Sequence, residues 1–242
     1  MVRAKNYLKR KIGQYPSIYF LKRYIDSDIN RLGVKINTEI TITGFGRSGN
    51  TFATIAFQQA QSREVNIAHH VHVPAQVIKS ANLNIPTIVL IRNPIDSVVS
   101  SLVKGNHLRE KEISLYGSEK IKNYYNYYKK ILPYRKSFFI APFNMVIKDF
   151  GKIISRFNER FNTSYKVFDH SKKKEKKVFN LIENINKDMH GNGFTKLKQS
   201  FPSSEKEKIK ENVRKKLEGF GFEATNKSMQ IYREYLNNSF FN

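Results

Sequence analysis

Residues Thr38-Glu-Ile-Thr-Ile-Thr-Gly-Phe-Gly-Arg-Ser-Gly-Asn-Thr51 contain a strand pattern, a glycine-rich turn and the start of a helix. Residues 38–43 alternate and are β-branched, which predicts a strand. Residues 50–61 carry apolar side chains at helical spacing. Glycines in the turn at 44–49 let successive N–H groups face inward, and the helix behind them adds unpaired N–H groups. The stretch therefore predicts a phosphate-binding loop.

The rest of the chain repeats the alternation of strand and helix. The pattern predicts an α/β fold with a central parallel sheet flanked by helices, a P-loop NTPase-like three-layer sandwich, followed by a helical C-terminal part. The run at 86–91 is continuously apolar, as in a strand buried on both faces. The other predicted strands are 65–70 and 137–141, and the predicted helices are 74–81, 94–104, 117–132 and 146–161.

Chain length predicts one domain. Its 242 residues show no evident linker, so we expect a single domain over residues 1–242. We divide it into a basic N-terminal helical arm (1–35), a nucleotide-binding α/β core (38–162) and a mostly helical C-terminal part (163–242). A loop is expected at 191–202.

Composition excludes some functions and favours others. The chain has no cysteine, which excludes disulfides, a cysteine nucleophile and thiolate metal sites. Its net charge of +23 attracts polyanions such as nucleic acid, acidic lipid, polysaccharide or a nucleotide-like donor. Lysine runs at 171–177 and 206–216 are interpreted as solvated helix faces. The arm lacks a signal-peptide core and no apolar run is long enough to cross a membrane, so a cytoplasmic location is expected. The arm itself either packs on the domain or contacts a membrane surface.

The glycine-rich turn nearly fits the Walker A pattern. Gly44, Gly49 and Thr51 stand at the expected places, but Asn50 occupies the position that requires lysine. The positive charge appears instead at Arg47, in the middle of the loop. A kinase with this loop would lack the charge that reaches the outer phosphates of ATP.

A second motif follows the apolar strand at 86–91. Arg92-Asn-Pro-Ile-Asp-Ser-Val-Val-Ser100 begins with a guanidinium at a strand end, where it can offer a fork to phosphate. Asn93 is a good N-cap and Pro94 suits the first helical position. Ser100 lies two helical turns further on, where its hydroxyl could reach the same phosphate.

Together these two motifs resemble those of sulfotransferases that use 3'-phosphoadenosine 5'-phosphosulfate (PAPS). The resemblance covers about residues 38–104. It implies transfer of a sulfuryl group from PAPS to a hydroxyl or amine of an acceptor, without a metal. Arg47 would neutralise charge on the bridging oxygen, and Arg92 and Ser100 would hold the 3'-phosphate. The loop residues that the resemblance assigns to the 5'-phosphosulfate are Gly46, Arg47, Ser48, Gly49, Asn50 and Thr51.

The histidines between the motifs supply a candidate base. His69-His70-Val71-His72-Val73-Pro74 is similar to the family's Lys-Thr-His-x-Pro string, which implies that His72 is the catalytic base and that His70 lines the acceptor site. Histidine has a suitable pKa for this proton transfer. Strand alternation, if it extends this far, puts His70 and His72 on one face and His69 on the other. Three clustered histidines also suggest a metal site, but no nearby carboxylate completes it.

Beyond residue 104 the resemblance is faint. Phe143 stands where the family has a tyrosine that contacts adenine, and residues 190–205 lack the arginine of the family's late loop. A tyrosine-rich helix at 124–128 either lines an acceptor groove or packs in the core. The acceptor is expected to be an anionic saccharide or lipid, and nucleic acid is not expected as a partner. A P-loop kinase or NTPase with a degenerate loop, and a basic module that binds nucleic acid or membrane, remain as alternatives.

Overall fold

The computed structural model describes residues 8, 10–25, 32–190 and 203–237. The predicted loop at 191–202 and part of the arm lie outside these residues. The strands are β1 (Ile40–Gly44), β2 (Ile67–His69), β3 (Thr87–Ile91) and β4 (Phe139–Pro142). The helices are α1 (Pro16–Ile25), α2 (Asn50–Ala60), α3 (Pro74–Asn82), α4 (Pro94–Lys104), α5 (Glu110–Ile131), α6 (Phe143–Lys148), α7 (Phe150–Phe161), α8 (Lys172–His190), α9 (Ser204–Gly219) and α10 (Glu223–Asn237), with a 3₁₀ helix at Leu132–Ser137.

The four strands form one parallel sheet in the order β2-β1-β3-β4. Each strand is joined to the next through at least one helix, as parallel pairing requires. The predicted α/β fold with a parallel sheet and a helical C-terminal part is therefore confirmed.

Two hydrophobic cores lie on opposite faces of the sheet. Ile88 and Leu90 of β3 pack in the core that contains residues of α2, α7 and α8. Val89 and Ile91 pack in the core that contains residues of α3, α5 and α10. Since successive strand residues point to opposite faces, burial on both sides explains why the whole run is apolar.

Strands β1 and β3 approach each other closely at Gly44. A Cβ atom added there would lie 2.3 Å from the carbonyl oxygen of Leu90. Only glycine fits this position without a shift of the backbone, and the glycine-rich loop begins directly after it.

Local signals set some helix bounds and not others. Helix α4 matches its prediction, and the side chain of Asn93 accepts hydrogen bonds from the N–H groups of Ile95 (2.9 Å) and Asp96 (3.3 Å). The single helix predicted at 146–161 is wrong. The chain forms α6 and α7 instead, because Asp149 leaves helical geometry and its Oδ1 accepts from the N–H of Lys152. Helix α5 also begins at Glu110, earlier than predicted.

The C-terminal helices α9 and α10 contact α4 and α5 through polar side chains. Arg214 of α9 forms an ion pair with Asp96 of α4. The hydroxyl of Tyr235 donates to the carbonyl of Tyr128 at 2.8 Å. Tyr124, Tyr127 and Tyr128 are themselves buried, so these tyrosines pack the core and do not line a groove.

The arm packs on the domain beside the segment that follows β2. Tyr19 of α1 is buried against Val71, Val73 and Ala75. The N–H of Ala75 also donates to the carbonyl of Gly13 at 2.9 Å. Among the described residues, none of the helices has the length and apolar character needed to cross a membrane.

Gly44→Ala should lower the free energy of unfolding by about 3 kcal/mol, because the added methyl group meets the Leu90 carbonyl. Gly46→Ala is the matched control: a Cβ there meets nothing within 4 Å, so the change should stay within about 0.5 kcal/mol. Urea unfolding of both variants measures the difference. Equal stabilities would contradict the close approach of β1 and β3.

Candidate anion-binding site

The loop between β1 and α2 depends on two left-handed residues. Arg47 has a φ of 69° and Gly49 a φ of 89°. The side-chain amide of Asn50 donates to the carbonyl of Phe45 at 3.0 Å and closes the loop. Asn50 thus stabilises the loop conformation at the position where a Walker A loop has its lysine.

The two predicted phosphate motifs meet at Arg47. The Arg92 guanidinium donates to the Arg47 carbonyl at 3.1 Å, and Arg47 Nε donates to Ser100 Oγ at 3.1 Å. The structure thus brings together Arg47, Arg92 and Ser100, which are separated by up to 53 positions in the chain.

Several neighbours fix Arg92 in place. Its guanidinium lies 4.0 Å from the ring centroid of Phe143, and its carbonyl accepts from the hydroxyl of Tyr124 at 2.7 Å. Its Nε is buried without a hydrogen-bond partner among the described residues. A buried, unsatisfied donor on a cation fits an anionic ligand. Phe143 also lies against Gly49, so it borders the loop itself.

Lys206 adds a cation that sequence reasoning missed. It lies in the first turn of α9 and is only 7% exposed, so its interpretation as part of a solvated helix face is wrong. Burial first, and then the positive charge of Arg47, lower the pKa of Lys206 to about 8. Nothing in the lysine-rich stretch at 206–216 distinguishes this lysine from its exposed neighbours.

The site is strongly electropositive. Burial, and then the charge of Arg92, lower the pKa of Arg47 to about 10. Arg92 also has a lowered pKa, mainly through burial. Cations held this close together disfavour one another's charge, and an anion bound among them would relieve that cost.

His72 is held in one tautomer by the strand end. Its Nδ1 lies 2.9 Å from the carbonyl oxygen of Gly44. Since a carbonyl can only accept, Nδ1 carries the proton and Nε2 holds the lone pair. His72 is exposed, so Nε2 is the ring atom suited to take a proton from a substrate.

His70 contacts the phosphate loop. Its Nε2 lies 3.0 Å from Thr51 Oγ1. Strand β2 ends at His69 and His70 has a φ of 54°, so the predicted alternation does not extend to these residues. Burial, followed by the charges of His69 and His72, lowers the pKa of His70 to about 3. His70 is therefore neutral near pH 7, and its place in the lining of the acceptor site stays a prediction.

Ser48 is fully buried within the loop, and its hydroxyl has no hydrogen-bond partner among the described residues. Gly46 has open space where a side chain would stand. The loop therefore presents backbone donors, with Arg47 supplying the charge.

Within the described ranges, no group of three or more histidine, aspartate or glutamate side chains is placed to hold a metal ion. Comparison of the chain with protein-family models found no match. Comparison with curated proteins also found no match. The resemblance to sulfotransferases therefore rests on the sequence motifs alone.

The affinity for inorganic sulfate should fall as the pH rises above about 8. Below that pH Lys206 is charged with or without sulfate. Above it, Lys206 loses its proton when sulfate is absent, whereas bound sulfate raises its pKa, so sulfate binding must take up a proton. Calorimetric titration in buffers of different ionisation enthalpy measures this uptake. Lys206→Met should remove it, whereas the exposed Lys208→Met should not, and proton uptake that is the same in both variants would contradict a role for Lys206.

Proposed function

We propose that the protein is a sulfotransferase that transfers a sulfuryl group from PAPS to a hydroxyl or amine of an acceptor. The observation that carries the proposal is the meeting of the two motifs, in which Arg92 donates to the Arg47 carbonyl and Arg47 donates to Ser100. A donor with phosphate groups at the 3' and 5' positions of one ribose needs two anion sites a short distance apart. The loop and the Arg92–Ser100 pair supply both.

The residues fit PAPS in charge and in donor type. The backbone N–H groups of the loop and of the first turn of α2 suit the 5'-phosphosulfate. The unsatisfied Arg92 Nε and the Ser100 hydroxyl suit the 3'-phosphate. Arg47 donates a hydrogen bond to Ser100, and we expect the Arg47 side chain to turn to the phosphosulfate when the nucleotide binds. Lys206 adds charge to the same anion.

Transfer requires a base and a stabilised leaving group. His72 Nε2 takes the acceptor proton while the acceptor oxygen or nitrogen forms its bond to sulfur. The bond from sulfur to the bridging phosphate oxygen breaks, and adenosine 3',5'-bisphosphate leaves with the electron pair. Arg47 stabilises the negative charge that develops on that oxygen, which is the electrostatic part of catalysis.

His70 has a separate role in this scheme. Its low pKa makes it a poor proton acceptor near pH 7. Its contact with Thr51 orients a hydroxyl in the first turn of α2, where the 5'-phosphate would lie. We therefore assign His70 as a positioning residue and His72 as the base.

A P-loop kinase is the alternative that shares most of this fold. It needs a lysine at position 50, where the Asn50 side chain instead closes the loop on Phe45. Asp96, the acid within the second motif, is paired with Arg214. These contacts favour the sulfotransferase, and MgATP is the ligand that tests the alternative.

Adenosine 3',5'-bisphosphate should stabilise the protein in a thermal shift assay, by about 2.7 kcal/mol at a hundred times its dissociation constant. Arg92→Gln should lose most of the shift, because glutamine keeps a donor but not the charge. Arg156→Gln, which removes the same charge from an exposed helix surface, should keep it. A shift with MgATP and none with the bisphosphate would refute the proposal in favour of the kinase.

His72→Asn should lower the rate at which adenosine 3',5'-bisphosphate is released from PAPS by a factor of about 10² or more. The rate is measured with a panel of hydroxyl and amine acceptors. Asparagine can still donate to the Gly44 carbonyl but offers no base. Bisphosphate affinity should not change. His107→Asn is the control, since His107 stacks on Tyr116 outside the site. Turnover of His72→Asn close to wild type would remove His72 from the role of base.

A further inference from the structure

One side of α1 exposes apolar side chains while the other side packs on the domain. Tyr15, Ile18 and Leu21 are 53%, 54% and 63% exposed. They are spaced three residues apart, which places them on one side of the helix. The Tyr15 carbonyl accepts from the N–H of Tyr19 at 2.9 Å, so Tyr15 belongs to the first turn. We call these three residues the outer face. Leu8, further towards the N-terminus, is also exposed.

Basic side chains accompany the outer face. Lys11 and Lys22 are exposed next to it, and the Lys130 ammonium lies 5.1 Å from the ring centroid of Tyr15. The sequence of residues 1–31 is also strongly basic: it contains Arg3, Lys5, Lys9, Arg10, Lys11, Lys22, Arg23 and Arg31 against Asp26 and Asp28. Exposed apolar residues among lysines are typical of helices that lie in the interface of an anionic membrane.

We propose that the outer face docks the protein on an anionic lipid surface. The apolar side chains enter the acyl boundary, and the surrounding lysines contact acidic headgroups. A second copy of the chain is a poorer occupant, because pairing would bring together two molecules with a net charge of +23 each. The lipid surface matches both the apolar outer face and the basic side chains next to it.

Docking would bring the candidate base close to the lipid. The inner side of α1 packs through Tyr19 on Val71 and Val73, the residues that flank His72. A helix with its side chains is about 10 Å across, so the His72 segment lies about that far from the docked face. That the acceptor is presented at a membrane rests on the proposed function, whereas the docking of α1 on lipid does not.

Vesicle sedimentation tests the docking surface. The full-length protein should bind vesicles of phosphatidylglycerol and phosphatidylcholine, and much less to pure phosphatidylcholine. The double variant Ile18→Glu, Leu21→Glu should lower the partition coefficient about tenfold or more. The control Leu115→Glu, Ile185→Glu changes the charge equally at apolar residues that are 43% and 41% exposed on α5 and α8, and it should bind nearly as wild type does.

Two results would overturn the docking surface. One is equal loss of vesicle binding in both double variants, which would mean that charge alone drives it. The other is a wild-type dimer that the outer-face variant abolishes, which would assign the face to a second copy. A thermal shift assay with adenosine 3',5'-bisphosphate on the same proteins separates the docking surface from the proposed function. If vesicles bind as described but the bisphosphate does not raise the melting temperature, the sulfotransferase proposal is refuted and the docking surface is not.

Discussion

The parallel pairing of β1 with β3 is the constraint on which the candidate site depends. Gly44 pairs with Leu90, and its missing side chain allows the two backbones to approach. Because the strands are parallel, the chain leaves both at the same edge of the sheet, so the loop meets Arg92. The Gly44 carbonyl also accepts from His72, which follows β2 on the other side of β1. One glycine thus places the loop, the guanidinium and the imidazole together.

The site concentrates positive charge from three separate parts of the chain. Arg47 comes from the loop, Arg92 from the end of β3 and Lys206 from α9. The lowered pKa values of Arg47 and Lys206 show that the fold holds these cations where their charges are disfavoured. Such arrangements are concentrated at functional sites, because a bound anion makes them favourable. The ion pair between Arg214 and Asp96 keeps α9 close enough to contribute.

Much of the fold and part of the site could be predicted from local signals. The bounds of α4 follow from Asn93 and Pro94, and β3 from its apolar run. The grouping of the loop with Arg92 follows from parallel topology. The burial of Lys206 could not be predicted, because it depends on packing of α9 against α4, elements more than a hundred residues apart. The end of α6 at Asp149 and the left-handed conformation of His70 likewise could not be read from the hydrophobic periodicity of the sequence.

A crystal structure of the complex with adenosine 3',5'-bisphosphate would show whether the two motifs hold the nucleotide. The 5'-phosphate should lie within hydrogen-bond distance of the backbone N–H groups at 48–51. The 3'-phosphate should contact Arg92 and Ser100, and Arg47 should no longer donate its hydrogen bond to Ser100. A nucleotide whose phosphates lie outside this cluster, with the hydrogen bond between Arg47 and Ser100 unchanged, would refute the proposed donor site.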